Sequence, residues 1–455
     1  MQSVNTNKFE QYYQPILRLG APIAIGQIGV IIMGFADTMM VGNFNTRSLA
    51  AASFVNALYN FIVYLMLGYS YGLTPLISSL VGKRQAGEAG ATLKYGLVCN
   101  MLFVALIMAC LGVTYFLLDY MGQPAEIMPL VKPYYLTLLI SLFFVGIFNT
   151  FRQFTDGVSD TSIGMWGILM GNVLNIIGNM LLIYGIGCFP RLGLLGAGIS
   201  TMFARIVMAI VIVALFLLKK RYKAYRIGFH NSSPRRADLR YINAQSLPIS
   251  LQMGMESGAF TVSGIMAGWL GSIDLATYQV MITISGLGFL LYYSFGTGIT
   301  IRVAHYVGQN DWARVRLTGR AGMHILLVMA AFSSAIFLLA GDYIIRCFTS
   351  DMAVITLALT LIPPLILYQL GDSMQICYAN ALRGTAHVKS MMWIALVSYV
   401  IVNIPAAYLF AFTLKMGIMG IYLAFSCGLF VAAILFAYQY FRVLRQETRS
   451  RAEIC

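Results

Sequence analysis

Apolar residues in this chain gather into long continuous runs, with the polar residues collected in the breaks between them. Twelve runs are discernible, at residues 16–42, 49–75, 92–118, 130–150, 161–186, 193–218, 243–269, 275–301, 320–341, 352–378, 391–413 and 418–441. A membrane-crossing helix needs about 20 mostly apolar residues, and each run supplies roughly that many. None alternates apolar and polar with period two, so helices are predicted and a β-barrel is not.

The runs fall into two sets of six that repeat one another. At an offset of 226, Pro22 matches Pro248, Gly42 matches Gly268, Gly72 matches Gly298, and Val81-Gly82 matches Val307-Gly308. Leu49-Ala50 matches Leu275-Ala276 at the same offset. Further on the offset drifts: Gly157 pairs with Gly384, Asn175 with Asn403, and Gly193 and Gly196 with Gly417 and Gly420. Small loop insertions produce such a drift. Six runs per half give both halves the same orientation, a parallel repeat about an axis along the membrane normal. The expected architecture is an all-α membrane protein of twelve transmembrane helices in two six-helix lobes. The expected segments are an amino-terminal lobe at 1–218, a basic linker at 219–240, and a carboxy-terminal lobe with a short basic tail at 241–455.

Composition agrees with this reading. Of 455 residues, 59% are hydrophobic and 10% charged, and the mean hydropathy is +0.78. The net charge of +14 would suit a nucleic-acid binder if it were spread over one face. It is instead sorted by topology. Twenty-four of the 30 Lys and Arg residues, among them Lys8, Arg152 and Arg383, fall on the side shared by both termini and the linker. Arg47, Lys132, Arg191, Arg346 and Lys415 fall on the other side, and Arg205 lies within the sixth run. Such a bias sets orientation, so both termini are expected in the cytoplasm. The first fifteen residues are polar and lack a short apolar core with a cleavage site, so no removed signal peptide is expected. Seven cysteines, including Cys99, Cys377 and Cys455, show no CxxC pairing and read as small apolar residues.

Three acids sit within the apolar runs: Asp37 in IIMGFADTMMVG, Glu256 in LQMGMESGAF and Asp372 in ILYQLGDSMQICY. Intramembrane carboxylates usually face a bundle interior or a wet cavity and are functional by default. A proton or Na⁺ can discharge such a site, and a cationic substrate can compete for it; this competition is the physical core of an antiporter. The repeat partners of Asp37 and Glu256 are Ser263 and Val30, so the acids were placed separately in each half. Asn172, Asn175 and Asn179 share one face of the fifth run. Their amide oxygens can complete a hard-cation shell around Asp37, or they can serve as interhelical hydrogen bonds. Pro363 and Pro364 interrupt the tenth run ahead of Asp372, and Tyr368 lies one turn before that acid. Arg205 either pairs with an acid or snorkels. The 26 Met, 27 Tyr and 28 Phe suit a permissive cavity for organic cations, though most are expected to face lipid or core. There is no GxxxxGK[ST], since Ile77 stands where its first glycine belongs, and no HExxH or acid-rich run, so no enzymatic centre is expected.

With FADTMMVG in the first run, LVGKRQAGEA after the second and YVGQNDWARV at the equivalent place in the second half, the chain resembles the multidrug and toxic compound extrusion (MATE) family, within it the bacterial NorM-type branch. The resemblance covers essentially the whole chain. It implies two lobes, a location in the bacterial inner membrane, and secondary active efflux of amphipathic cationic drugs in exchange for Na⁺ or H⁺. Asp37, Glu256 and Asp372 fall on the acids that matter for coupling in that family. Asn175 and Asn179 match amides beside the first-helix acid in the family's amino-terminal ion site, so Asp37, Asn175 and Asn179 are the expected Na⁺ ligands. Tyr368 joins the expected substrate and coupling residues. The chain departs from some relatives in having no acid in the eighth run. No cofactor beyond the coupling ion and no nucleic acid is expected; the expected partners are small cationic molecules and the bilayer, and the expected state is a monomer. The alternative reading is a lipid-linked saccharide flippase of the wider superfamily, which should carry a more basic cavity.

Overall fold

A computed structural model describes residues 9–452. Lys8 and Cys455 lie outside the described residues, within which the chain is helical and contains no strand. The helices are α1 (Gln14–Phe44), α2 (Thr46–Ser70), α3 (Leu73–Gly82), α4 (Ala86–Leu117), α5 (Met128–Gly157), α6 (Thr161–Tyr184), α7 (Leu194–Leu218) and α8 (Lys223–Asn231). They continue with α9 (Arg236–Leu270), α10 (Ser272–Gly308), α11 (Trp312–Phe348), α12 (Met352–Thr360), α13 (Ile362–Gly384), α14 (Lys389–Ala395), α15 (Ile404–Tyr408) and α16 (Gly417–Ala452). Among the described residues, ten uninterrupted passages are long and apolar enough to cross a membrane, and the bent pair α12–α13 makes an eleventh. The expected seventh run lies in α9. At 35 residues it is long enough to span, but Gln252 and Glu256 make it more polar. The protein is a multi-pass membrane protein.

Local chemistry explains where the helices break. Pro363 and Pro364 occupy the first turn of α13, where a missing N–H costs no helical bond. The chain therefore ends α12 at Thr360 and restarts at Ile362, bent by 53°. The eleventh expected run is not a plain α-helix. Between α14 and α15 it runs as a π-helix over Leu396–Asn403, and again over Leu409–Thr413. This winding places Ser398, Tyr399 and Asn403 all in the interior. The linker also folds. Tyr222 is buried and donates to the Asp160 carboxylate at 2.8 Å, and burial together with that carboxylate pushes its phenol above the ordinary value. Arg383, expected among the cytoplasmic loop cations, is 4% exposed in the last turn of α13.

The repeat persists down to individual contacts. Thr74 donates to the Gln153 backbone carbonyl at 3.1 Å and to its side chain at 2.6 Å. Their counterparts Thr300 and Asn380 repeat the pair at 2.8 and 3.1 Å. A Cβ on Gly157 would lie 2.9 Å from Ile77 Cβ, and one on Gly384 2.8 Å from Val303 Cβ, so both helix crossings require glycine. Left-handed backbone recurs at Arg84 and Asn310, at Ser159 and Ala386, and at Gly193 and Gly417. After α3 and α10 the same closure follows, Gln85 N to Leu80 O and Asp311 N to Tyr306 O, each 2.9 Å.

The chain divides into two compact units. One holds Ile25–Ser250; the other holds the chain up to Ala24 and from Leu251 onward. Both boundaries fall inside a helix, α1 and α9, two residues after its internal proline, Pro22 or Pro248. In the first unit the apolar core centres on residues such as Tyr59, Tyr135 and Leu142 at one level and Phe154, Phe216 and Ile77 at another. In the second, Tyr399, Tyr422, Phe425 and Phe436 are buried.

Candidate functional site

Each unit contains a polar cluster in its interior. In the unit of residues 25–250, α1 brings Asp37 against the inward face of α6. Asn179 Nδ2 donates to Asp37 Oδ1 at 2.5 Å and lies 3.4 Å from Asn175 Oδ1. Asn175 Nδ2 donates in turn to Thr201 Oγ1 on α7 at 3.0 Å, and Ser200 Oγ donates to the Asn175 carbonyl at 2.8 Å. Both asparagines are 0% exposed. The Asn179 carbonyl oxygen is buried without a hydrogen-bond partner. Asn172, one turn earlier, packs against Gly29 of α1, whose missing side chain makes the room. Thus Asp37, Asn175 and Asn179 come together, and Asn172 faces the same helix farther along it.

Arg205 on α7 resolves as a member of this cluster. Its guanidinium donates to Ser141 Oγ at 2.6 Å and interacts electrostatically with Asp37, Tyr134 and Tyr59.

In the other unit α9 and α13 supply the acids. Glu256 accepts from Gln252 Nε2 at 3.2 Å and from the Tyr399 hydroxyl, which itself accepts from Gln375 Nε2 at 2.7 Å. Arg383 reaches the same network through Gln252 Oε1 at 3.4 Å and also donates to Asn380 Oδ1 at 3.2 Å. A cavity of about 20 Å³ lies among Gln252, Glu256, Tyr293, Gln375, Asn380 and Arg383, room for about one water.

Asp372 is 1% exposed, and neither carboxylate oxygen has a hydrogen-bond partner. Gln369 Oε1, Gln375 Oε1, Asn403 Oδ1 and Tyr422 OH are likewise buried without partners. Buried polar atoms in native proteins are normally satisfied, so the unpartnered carboxylate of Asp372 marks this unit as a candidate site. No group of three or more His, Cys, Asp or Glu side chains that could hold a metal ion converges among the described residues. Tyr368 is buried one turn before Asp372, interacts electrostatically with Asp372 and Glu256, and packs near Phe260 and Phe425.

The sequence reading missed Gln252, Gln375, Tyr399, Thr201 and Arg383. Gln252 lies four residues before Glu256 and Gln375 three after Asp372, so their shared helix faces were a usable signal. Asn403 is the repeat partner of Asn175. Tyr399 had no such signal, because its inward aim depends on the π-helix.

The MatE family model matches the chain twice, over residues 22–181 and 248–409, one match per half. The chain belongs to the MatE family. The two matches start 226 residues apart and end 228 apart, the same drift the internal repeat shows. Among MatE relatives, the chain is 31% identical to the "Probable multidrug resistance protein NorM" of Photorhabdus laumondii, over 92% of this chain and 93% of that one. It is 27% identical to the "Multidrug resistance protein NorM" of Photobacterium profundum, over 95% of each. A solved structure described as the outward-facing conformation of a multidrug resistance MATE family transporter of the MOP superfamily matches with a TM-score of 0.88 at 21% identity, covering 98% of this chain and 99% of that one. At that identity the likeness speaks for the MatE fold.

Proposed function

We propose that this protein is a secondary active multidrug antiporter of the bacterial inner membrane, exporting amphipathic organic cations in exchange for Na⁺, with H⁺ the alternative coupling ion. The observation that carries the reading is the join of Asp37 to Asn179 and Asn175. A proton site needs only the carboxylate. A desolvated Na⁺ needs several oxygens at once, and the carboxylate with two amide oxygens, one of them unpartnered, offers such a set. Asp372, Glu256 and Tyr368 form the second acidic site, where the aromatic rings and carboxylates suit a cationic substrate. The names of the NorM relatives support multidrug efflux.

In this mechanism the ion and the drug each depend on acids within the membrane spans. Ion entry at Asp37 draws α1 and α6 together, and the drug leaves when the acids that hold it are discharged. Coupling requires the ion to bind the two access states unequally. The protein works as a monomer with both termini in the cytoplasm, performs no covalent chemistry and needs no cofactor beyond the coupling ion. The half-buried Arg205 and the buried Arg383 are what favour the second reading, a lipid-linked saccharide flippase, since an anionic headgroup needs cations. Both arginines are engaged with the acids' own networks, which favours the antiporter.

The experiment is efflux of a fluorescent cation from proteoliposomes under an imposed Na⁺ gradient at fixed pH, or a pH gradient without Na⁺. Efflux driven by the Na⁺ gradient supports the reading. Efflux driven only by the pH gradient rejects Na⁺ coupling, and no cation movement under either gradient rejects antiport.

A further inference from the structure

A second charged feature lies at the end of the carboxy-terminal unit, away from the acids. The start of α11 and the last turns of α16 enclose a groove of about 1060 Å³ whose lining includes Trp312, Arg316, Leu317, Arg320, Arg445 and Arg449. Arg316 and Arg320 are one turn apart on α11, as Arg445 and Arg449 are on α16, so each helix presents two guanidinium groups. The lining carboxylate, Asp311, caps α11 and is paired with Arg314 at 3.1 Å. Trp312 is 8% exposed, and its indole N–H is buried without an acceptor.

The internal repeat shows what such a place holds when it is filled. The counterparts of Arg316 and Arg320 at offset 226 are Gly90 and Lys94 on α4. There the linker helix α8 lies on α4: a Cβ on Gly90 would overlap the Tyr225 backbone, and Lys94 Nζ donates to the Ser232 carbonyl at 2.6 Å. On α11 the glycine is replaced by Arg316, the position is exposed, and the groove is open. Beyond Leu317 at the groove the same face of α11 carries His324, hydrogen-bonded to Tyr13 at 2.7 Å, and then the exposed apolar residues Val328, Phe332 and Leu339. These positions lie on one helix face, spaced by whole turns.

We propose that this groove binds the phosphate headgroup of an anionic phospholipid, with the acyl chains laid along the exposed apolar residues of α11. Arginine forks match phosphate oxygens bidentately. Basic pockets between spans at a membrane surface recognise anionic headgroups, and those apolar residues distinguish a lipid from free phosphate. The site would hold a structural or regulatory lipid independently of the transport cycle.

The test is native mass spectrometry of the full-length chain in detergent, titrated with dioleoyl phosphatidylglycerol or dioleoyl phosphatidylcholine, with inorganic phosphate as competitor. The expected result is retention of the phosphatidylglycerol in preference to the phosphatidylcholine, unaffected by millimolar phosphate. The double variant Arg316→Gln/Arg445→Gln should bind the anionic lipid at least about tenfold more weakly. Arg449→Gln alone, at an exposed position, should show the same loss at smaller amplitude and serves if the double variant does not fold. Equal retention of the two lipids, unchanged binding by the variants, or displacement of the lipid by phosphate overturns the proposal.

Discussion

Asn179 donates to the Asp37 carboxylate at 2.5 Å while its own carbonyl oxygen stays buried and unpartnered. One amide thus ties α6 to α1 and leaves an oxygen beside the acid. If that oxygen is an ion ligand, Asn179→Ala should lower Na⁺-driven efflux by about tenfold or more, the usual worth of a hydrogen-bonding partner to a charged group. Asn175→Ala should do the same, while transport driven by a pH gradient should suffer less. Equal loss under both gradients would mean that the amides serve helix packing.

Arg383 and Glu256 are joined through Gln252, with steps of 3.4 and 3.2 Å. The guanidinium is then a resident positive charge that opposes an entering cation. Arg383→Gln should tighten binding of tetraphenylphosphonium to the purified protein, by about tenfold for a unit charge one residue removed in a partly dry interior. Arg383→Lys should stay near the parent. Unchanged affinity in Arg383→Gln would reduce the arginine to a packing role.

Because Thr74 and Thr300 make equivalent bonds to Gln153 and Asn380, the two lobes should respond alike to their loss. Thr74→Val and Thr300→Val should each cost about 1–3 kcal/mol, since buried acceptors are left unsatisfied. Thermal unfolding in detergent would show similar drops in Tm. A large drop for one variant and none for the other would mean that the contacts repeat in geometry but not in energy.

Orientation has its own test. On the proposed orientation, argued from the basic linker and the sorted charges, residue 230 lies in the cytoplasm and residue 190 outside. In a cysteine-free background, an impermeant maleimide added to whole cells should label a cysteine at 190 and leave one at 230 untouched. Strong labelling at 230 would reverse the assignment.

Much of this was legible in the sequence because membrane helices are written in long apolar runs and the repeat copies its punctuation. Asn175 and Asn179 could be placed on a single helix face from their spacing, and their place beside Asp37 followed from the family resemblance. The π-helical turns were not legible, since Leu396–Asn403 reads as an ordinary apolar stretch, and so the inward aim of Tyr399 was hidden. Arg383 misled for a related reason. A cation at the end of a span looks like a loop residue, and only tertiary packing against Gln252 and Asn380 shows it to be interior. The break at Leu361 was readable as a kink at the paired prolines, but its 53° angle was not.

The central claim is that intramembrane carboxylates in both lobes carry the exchange. Its most direct measurement is cation efflux from proteoliposomes by Asp37→Asn, Glu256→Gln and Asp372→Asn, each reconstituted at matched protein levels with folding checked by size-exclusion profile. The account predicts that each variant folds yet loses most of its ion-driven efflux, by about tenfold or more, since each removes an intramembrane charge the cycle must discharge. Three well-folded variants that retain the efflux of the parent protein would contradict it.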